Sequence, residues 1–370
     1  MLSQTSIWRN FDIWLTVAVL LLTSYGILMI RSAVTGAPAF EELPADQVQW
    51  MIIGTIIMIV LAGIDYRILA SGHWYIYFGL LAALTLVLIL GATGNAAQRW
   101  IQIPGTDTRI QPSEFGRIFI PVSFGQFLAL RRHDINRFSN TIKTLLYIGI
   151  PIGFIFLQPD LGMSILYIVI WFVMMWLAGL PLSHFLILFV LGIVGLTAVF
   201  PLLQPYQRSR ITTFVSPENA DPEDVFNVDQ AEISIGTGGL FGKGYFNGTQ
   251  SQLGFLRVQH TDFIFSVITE EMGLVFGSLI VLTVMGFILW RILRAAMLSP
   301  DPAGKYACTG IAAVLFFQTV VNVGMNVRVL PVTGLTLPFV SYGGSSLVTL
   351  YMAIGIVQSI LMRHRKQAFG

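Results

Sequence analysis

Asp262 closes the polar segment His260-Thr261-Asp262 and opens the apolar run FIFSVI (263–268). A carboxylate placed where a polar loop turns into a membrane helix has two uses. As a cap, it accepts hydrogen bonds from the orphan N–H groups of the helix start and suits the positive end of the dipole. As a base, it takes a proton from an attacking hydroxyl. The two uses are compatible, and the sequence leaves both open. Glu270 follows eight residues on, about 12 Å along the helix axis and roughly 80° round from Asp262, with Glu271 on the opposite side. A carboxylate inside a membrane helix marks either a functional group or an ion pair with a basic residue on a neighbouring helix.

Four other segments carry groups of the same kind. In IQPSEFGRI (110–118), Pro112 suits the first helical position and Glu114 the first turn. Glu114 and Arg117 are three apart and can face each other. They form either a neutralised buried pair or a unit in which Arg117 reaches a phosphate and Glu114 positions it. In LQPDLGMS (157–164), Asp160 stands at another helix start, as a cap or a site residue. Gly236, Gly238, Gly239, Gly242, Gly244 and Gly248 form a loop, with Lys243 in it. Its N–H groups can cradle an anion or simply make tight turns. In LPFVSYGGSSL (337–347), Ser341, Gly343, Gly344, Ser345 and Ser346 serve either close helix packing or binding.

The elements that position these residues are membrane helices. The 370 residues are 55% hydrophobic and 11% charged, with mean hydropathy +0.75, whereas a soluble domain carries roughly 25% charged residues. The formal net charge of +2 gives no reason to expect nucleic acid as a partner. Cys308 is the single cysteine, so no internal disulfide forms. The first apolar segment, about 11–30, reads as a retained helix, not a removable signal. At roughly 20 residues per span, ten spans are expected near 11–31, 47–64, 73–92, 114–130, 143–158, 160–179, 183–203, 262–291, 306–327 and 340–362.

Three basic clusters set the orientation: Arg131, Arg132, Arg137 and Lys143; Arg291, Arg294 and Lys305; Arg363, Arg365 and Lys366. They share one side of the membrane only if both termini are cytoplasmic. The loop with Glu41, Glu42 and Asp46, and the long loop of about 204–261, then lie outside. Arg99, Arg109, Arg208, Arg210, Lys243 and Arg257 run against the charge bias there and need a reason. The expected architecture is one all-α membrane domain over 1–370. Its long loop packs on the outer surface, and the acidic first part, 216–229, is able to move. Asp160, Arg99, Glu114, Arg117, Lys243, Asp262 and the SYGGSS segment all fall near the outer surface. An acid, several cations and backbone donors suit a phosphate-bearing lipid headgroup, since arginine grips phosphate bidentately.

AQRW (97–100), QPSE (111–114), QPDLG (158–162), IGTGGLFGKG (235–244), HTDFIF (260–265), EEMG (270–273) and LPFVSYGGSS (337–346) resemble the signature segments of the SEDS family. These are the shape, elongation, division and sporulation proteins that polymerise bacterial peptidoglycan. The resemblance runs through nearly the whole chain. GTQSQLGFL (248–256) and QPDLGMS look more like the elongation, RodA-type branch than the division, FtsW-type branch.

The resemblance implies a GT-C-like membrane glycosyltransferase acting on lipid II, with Asp262 as the essential catalytic carboxylate and Glu114 with Arg117 as the functional pair. It also implies a class B penicillin-binding protein, a PBP2-like transpeptidase, as partner, beside other elongation-complex membrane proteins. The location implied is the bacterial cytoplasmic membrane. Three positions depart from the family pattern. Arg117 replaces the usual lysine, Leu256-Arg257-Val258 stands where Leu-Pro-Glu is usual, and Ala231 stands where serine is common.

On this reading the 4-hydroxyl of an acceptor lipid II attacks the anomeric carbon of the donor, with inversion. Asp262 acts as general base, and Arg99, Arg117, Arg210 and Lys243 are candidates to stabilise the leaving undecaprenyl pyrophosphate. A divalent cation, Mg or Mn, remains open; the sequence has no metal-ligand cluster of recognisable spacing. The alternatives are a lipid II flippase and a non-catalytic scaffold for a transpeptidase.

Overall fold

In hydrocarbon the backbone must satisfy its own N–H and C=O groups, and an apolar run does so as a helix. The structure, a computed structural model, describes residues 5–94, 97–102, 109–199, 201, 203–219 and 221–364. The first membrane helices are α1 (Ile13–Ala33), α2 (Leu43–Gly63), α3 (His73–Leu90), α4 (Pro112–Ala129), α5 (Phe138–Leu157), α6 (Leu161–Ala178) and α7 (Leu182–Val199). Two further helices fold within the long loop, α8 (Pro205–Val215) and α9 (Pro222–Gly238). The chain returns through α10 (Ile264–Gly273), α11 (Ile280–Leu298), α12 (Pro302–Asn326) and α13 (Gly344–Met362). Among the described residues, eight helical stretches are long and apolar enough to cross a membrane. With α4 and α7 in the places of the fourth and seventh expected spans, the chain is an all-α polytopic membrane protein of about ten spans.

The structure changes the expected layout in four places. A small antiparallel sheet, β1 (Ala92–Gly94), β2 (Ala97–Gln102) and β3 (Arg109–Ile110), stands between α3 and α4. Strands this short leave little alternation to read. The fifth helix starts at Phe138, not near 143. Within the tract 216–229, helix α9 begins at Pro222, and its cap Asp221 accepts from Glu223 N at 3.0 Å.

The eighth span is broken at Gly273, φ +75°, and continues through a π-turn over Leu274–Leu279. The reason is a crossing of backbones. A Cβ on Gly273 would strike Gly242, and one on Gly242 would strike Glu271.

The core centres on α12 and α13, with 67% and 78% of their spanning stretches buried, against 28% for α3. Helix α13 lies against α2 with almost no gap. A Cβ on Gly355 would sit 2.7 Å from the Met58 carbonyl, and one on Gly54 2.9 Å from the Tyr351 ring. Small residues allow this approach, and dispersion holds it where lipid offers no hydrophobic drive. At the bundle end away from Asp262, Asp12 caps α1 at Leu15 N (3.0 Å) and pairs with Arg291. There Arg363 donates to the carbonyls of Ala62 (3.1 Å) and Gly63 (2.6 Å).

Gly355→Leu is expected to force α13 off α2 and cost about 1–3 kcal/mol. A lower unfolding midpoint in detergent checks this. Gly286→Leu, where a Cβ meets nothing within 4 Å, is expected to leave the midpoint unchanged.

Candidate active site

Asp262 is presented by a turn and does not cap the helix. The N-cap of α10 is Phe263, without a side-chain cap bond. The amides of Thr261 and Asp262 both donate to Val258 O at 3.2 Å. That turn is pinned from two sides. Ser341 Oγ donates to Thr261 O at 2.7 Å, and Tyr342 N donates to His260 O at 2.9 Å. From α12, the amides of Asn322 (3.1 Å) and Asn326 (3.0 Å) donate to the carbonyl of Asp262. Asn326 Oδ1 in turn accepts from Ser266 N (3.1 Å) and Oγ (2.6 Å).

The Asp262 side chain opens into a cavity of ≈ 190 Å³, with Arg210 and Thr213 of α8, Asn227 of α9, Val258 and Arg328 on its walls. Burial pushes the Asp262 carboxyl above its ordinary pKa, partly opposed by the positive charge of Arg210 and a hydrogen bond from Thr261. Arg210 Nη1 donates to Val332 O at 3.2 Å. Arg328 Nη1 bonds Asp229 Oδ1 at 2.6 Å. Two wall residues hold left-handed backbone, Val258 at φ +54° and Arg328 at φ +57°. For a β-branched residue this is strained, at about 1–3 kcal/mol.

A second cluster lies at the start of α4. Arg117 is fully buried and pairs with Glu114 at 2.6 Å. Its Nη2 also donates to Ser346 O (3.1 Å) and Oγ (2.8 Å). Its Nε and Nη1 are buried without a hydrogen-bond partner among the described residues. Asp160 caps α6 at Met163 N (3.1 Å), accepts from Gln111 Nε2 (3.2 Å) and stands 3.6 Å from Arg99 Nη1. Arg99 Nε donates to Gln158 O at 3.0 Å.

The SYGGSS segment joins the two clusters. Ser341 and Tyr342 hold the Asp262 turn, while Ser345 Oγ bonds Arg109 O (3.0 Å) and Ser346 receives Arg117. Between them, Gly343 N donates to Gln47 Oε1 at 3.2 Å, and Gly344 lets Trp50 approach, 2.7 Å from where a Cβ would stand.

Lys243 belongs to neither cluster. Its Nζ donates to Thr249 Oγ1 (2.6 Å) and to Glu270 Oε1 (2.9 Å), on a fully buried carboxylate that also accepts from the amides of Gln250 and Ser251. Glu270 is therefore ion-paired, with a lysine of the glycine loop and not with a basic residue on a neighbouring helix. The glycine loop is not an open anion cradle either. Gly242 N donates to Gly238 O (2.9 Å), Lys243 N to Glu270 O (3.0 Å) and Gly244 N to Glu271 O (2.8 Å). Glu271 takes Ser32 Oγ at 2.6 Å and Gln252 Nε2 at 3.3 Å.

Sequence reasoning missed Asn322, Asn326 and Arg328. The signal for the asparagines was present: two amides four apart share one face of an otherwise apolar helix. Among the described residues no group of three or more His, Cys, Asp or Glu is arranged to hold a metal.

Residues 13–366 match the FTSW_RODA_SPOVE family, described as cell cycle protein. The chain belongs to this family. Peptidoglycan glycosyltransferase MrdB of Escherichia coli (strain K12) is 36% identical over 364 residues, covering 96% of this chain and 95% of that protein. A solved chain from "Structural coordination of polymerization and crosslinking by a peptidoglycan synthase complex" superposes with TM-score 0.82 at 30% identity, over 96% of this chain and 99% of that one. The crystal structure of the rod shape determining protein RodA of Thermus thermophilus gives TM-score 0.72 at 28% identity, over 98% and 99%.

If Lys243 serves as counter-ion to Glu270, Lys243→Met leaves a buried charge unpaired and costs about 3–5 kcal/mol. Lys243→Met with Glu270→Gln is expected to recover much of that loss. Unfolding midpoints of the two single variants and the double variant measure the coupling.

Proposed function

We propose that this chain is a peptidoglycan glycosyltransferase of the cell-elongation branch that polymerises lipid II into glycan strands. The observation that carries the reading is the Asp262 carboxyl, held on a pinned turn and opening into a cavity beside Arg210. Membership of the family and the name of the similar MrdB support the reaction class.

The acceptor hydroxyl loses its proton to Asp262 as its oxygen attacks the anomeric carbon of the donor. The bond to undecaprenyl pyrophosphate breaks in the same displacement, with inversion. Arg210 faces the region of developing charge. Arg117, with two unpartnered donors, and Arg99 hold the inner end of the site beside Ser346 and Asp160. Preorganised cations of this kind stabilise a leaving phosphate. An apolar groove of ≈ 510 Å³ beside Glu114, walled by Leu80, Ala83, Phe115 and Phe119, suits a polyisoprenoid tail.

Both termini are cytoplasmic in this reading, and the site faces outward. The partner is a class B penicillin-binding protein, in keeping with the synthase complex that the fold matches.

The decisive assay is polymerisation of labelled lipid II by the protein with its transpeptidase. Asp262→Asn is expected to lower the rate by about 10²–10⁴-fold while still binding the partner. Equal rates would remove Asp262 from the chemistry.

The pH profile tests the electrostatics. A base works ionised, so activity is lost as pH falls through the Asp262 pKa, which lies above the usual value of about 4. Arg210 lowers that pKa, so Arg210→Gln is expected to move the acid limb of kcat/KM to higher pH. An unmoved limb would mean that Arg210 does not act on this carboxylate.

A further inference from the structure

A second pocket, of ≈ 310 Å³ and with charged residues in its walls, opens at the other end of the bundle. Its position follows from two helices. Helix α4 runs to it from Glu114, and α12 starts at it and ends at Asn326 beside Asp262. Tyr66, Arg67, Gln126, Leu130, Arg132 and Asp301 are among its walls.

The charges in this pocket do not cancel. Asp301 is its one acid, and its oxygens are occupied. Oδ1 accepts from Gly304 N at 2.8 Å, while Oδ2 accepts from the Tyr66 hydroxyl and from Arg67 Nε at 3.3 Å. Arg67 Nη2 is buried and has no hydrogen-bond partner among the described residues. Arg132 adds a second cation, from the exposed turn after α4. A buried guanidinium nitrogen without an acceptor is costly, and two arginines against one engaged carboxylate leave net positive charge.

The surroundings identify the kind of anion. Ile68 and Leu130, beside the pocket, are 65% and 62% exposed. At the ends of membrane helices, apolar side chains this exposed suit contact with acyl chains. A phosphate with hydrocarbon attached satisfies both surfaces, and basic pockets between membrane helices take such headgroups.

We propose that this pocket binds the phosphate of an anionic membrane phospholipid, with Arg67 Nη2 and Arg132 as donors and the acyl chains along Ile68 and Leu130. The lipid then bridges the short helix Tyr66–Ser71, the end of α4 and the start of α12. Nothing in the polymerisation reaction uses these residues.

The test is native mass spectrometry of the full chain in detergent, titrated with dioleoylphosphatidylglycerol or with zwitterionic dioleoylphosphatidylcholine. The wild type is expected to retain one phosphatidylglycerol in preference to phosphatidylcholine. Arg132→Gln, at an exposed position, is expected to weaken that retention about fivefold with an unchanged unfolding midpoint. Arg67→Gln is expected to abolish it, with its unfolding midpoint recorded to separate misfolding from lost binding. Equal retention of the two lipids, or undiminished phosphatidylglycerol retention by Arg132→Gln, would overturn the proposal. Displacement of the lipid by equimolar glycerol 3-phosphate would assign the pocket to soluble phosphate esters and overturn the lipid assignment.

Discussion

Two asparagine amides on one backbone carbonyl hold the site together. Asn322 and Asn326 reach from α12 to Asp262 O, and Asn326 also receives the first turn of α10 through Ser266. At the mouth of a membrane helix a carbonyl must find its donors inside the protein. Here those donors come from α12, with 67% of its spanning stretch buried. The backbone of the Asp262 turn is thereby tied to the core as well as to the loop that carries it, which is how rigid elements give a site its precision.

The remaining charges divide by what surrounds them. Lys243 with Glu270 and Arg291 with Asp12 are internal pairs that fasten a loop and a helix end. Such pairs repay their desolvation only when additional hydrogen bonds complete them. Glu270 meets that condition with the amides of Gln250 and Ser251. Arg117 does not, since two of its nitrogens lack acceptors, and its place beside Ser346 puts this incomplete pair next to the segment that also holds the Asp262 turn.

Strain gathers in the same place. Val258, in the segment that departs from the family pattern, takes a left-handed backbone and offers its carbonyl to the amides of Thr261 and Asp262. Arg328 also takes a left-handed backbone on the facing wall, where its pair with Asp229 ties the end of α12 to α9. Strained residues persist where surrounding contacts over-determine them. The two helices of the long loop supply those contacts and close the cavity over Asp262.

The sequence by itself determined an all-α membrane chain of about ten spans, because a bilayer leaves an apolar run only the helix. It also determined the Glu114–Arg117 pair, because spacing of three on a helix is a local property. Only the tertiary structure decided which cations meet which acids. Lys243 lies within the glycine loop in sequence, yet it is used up on Glu270, while Arg210, 52 positions from Asp262 in the chain, comes to its cavity. Those pairings depend on where α8, α9 and α12 pack. Packing is set by contacts between residues far apart in the chain, which no local pattern of residue types records.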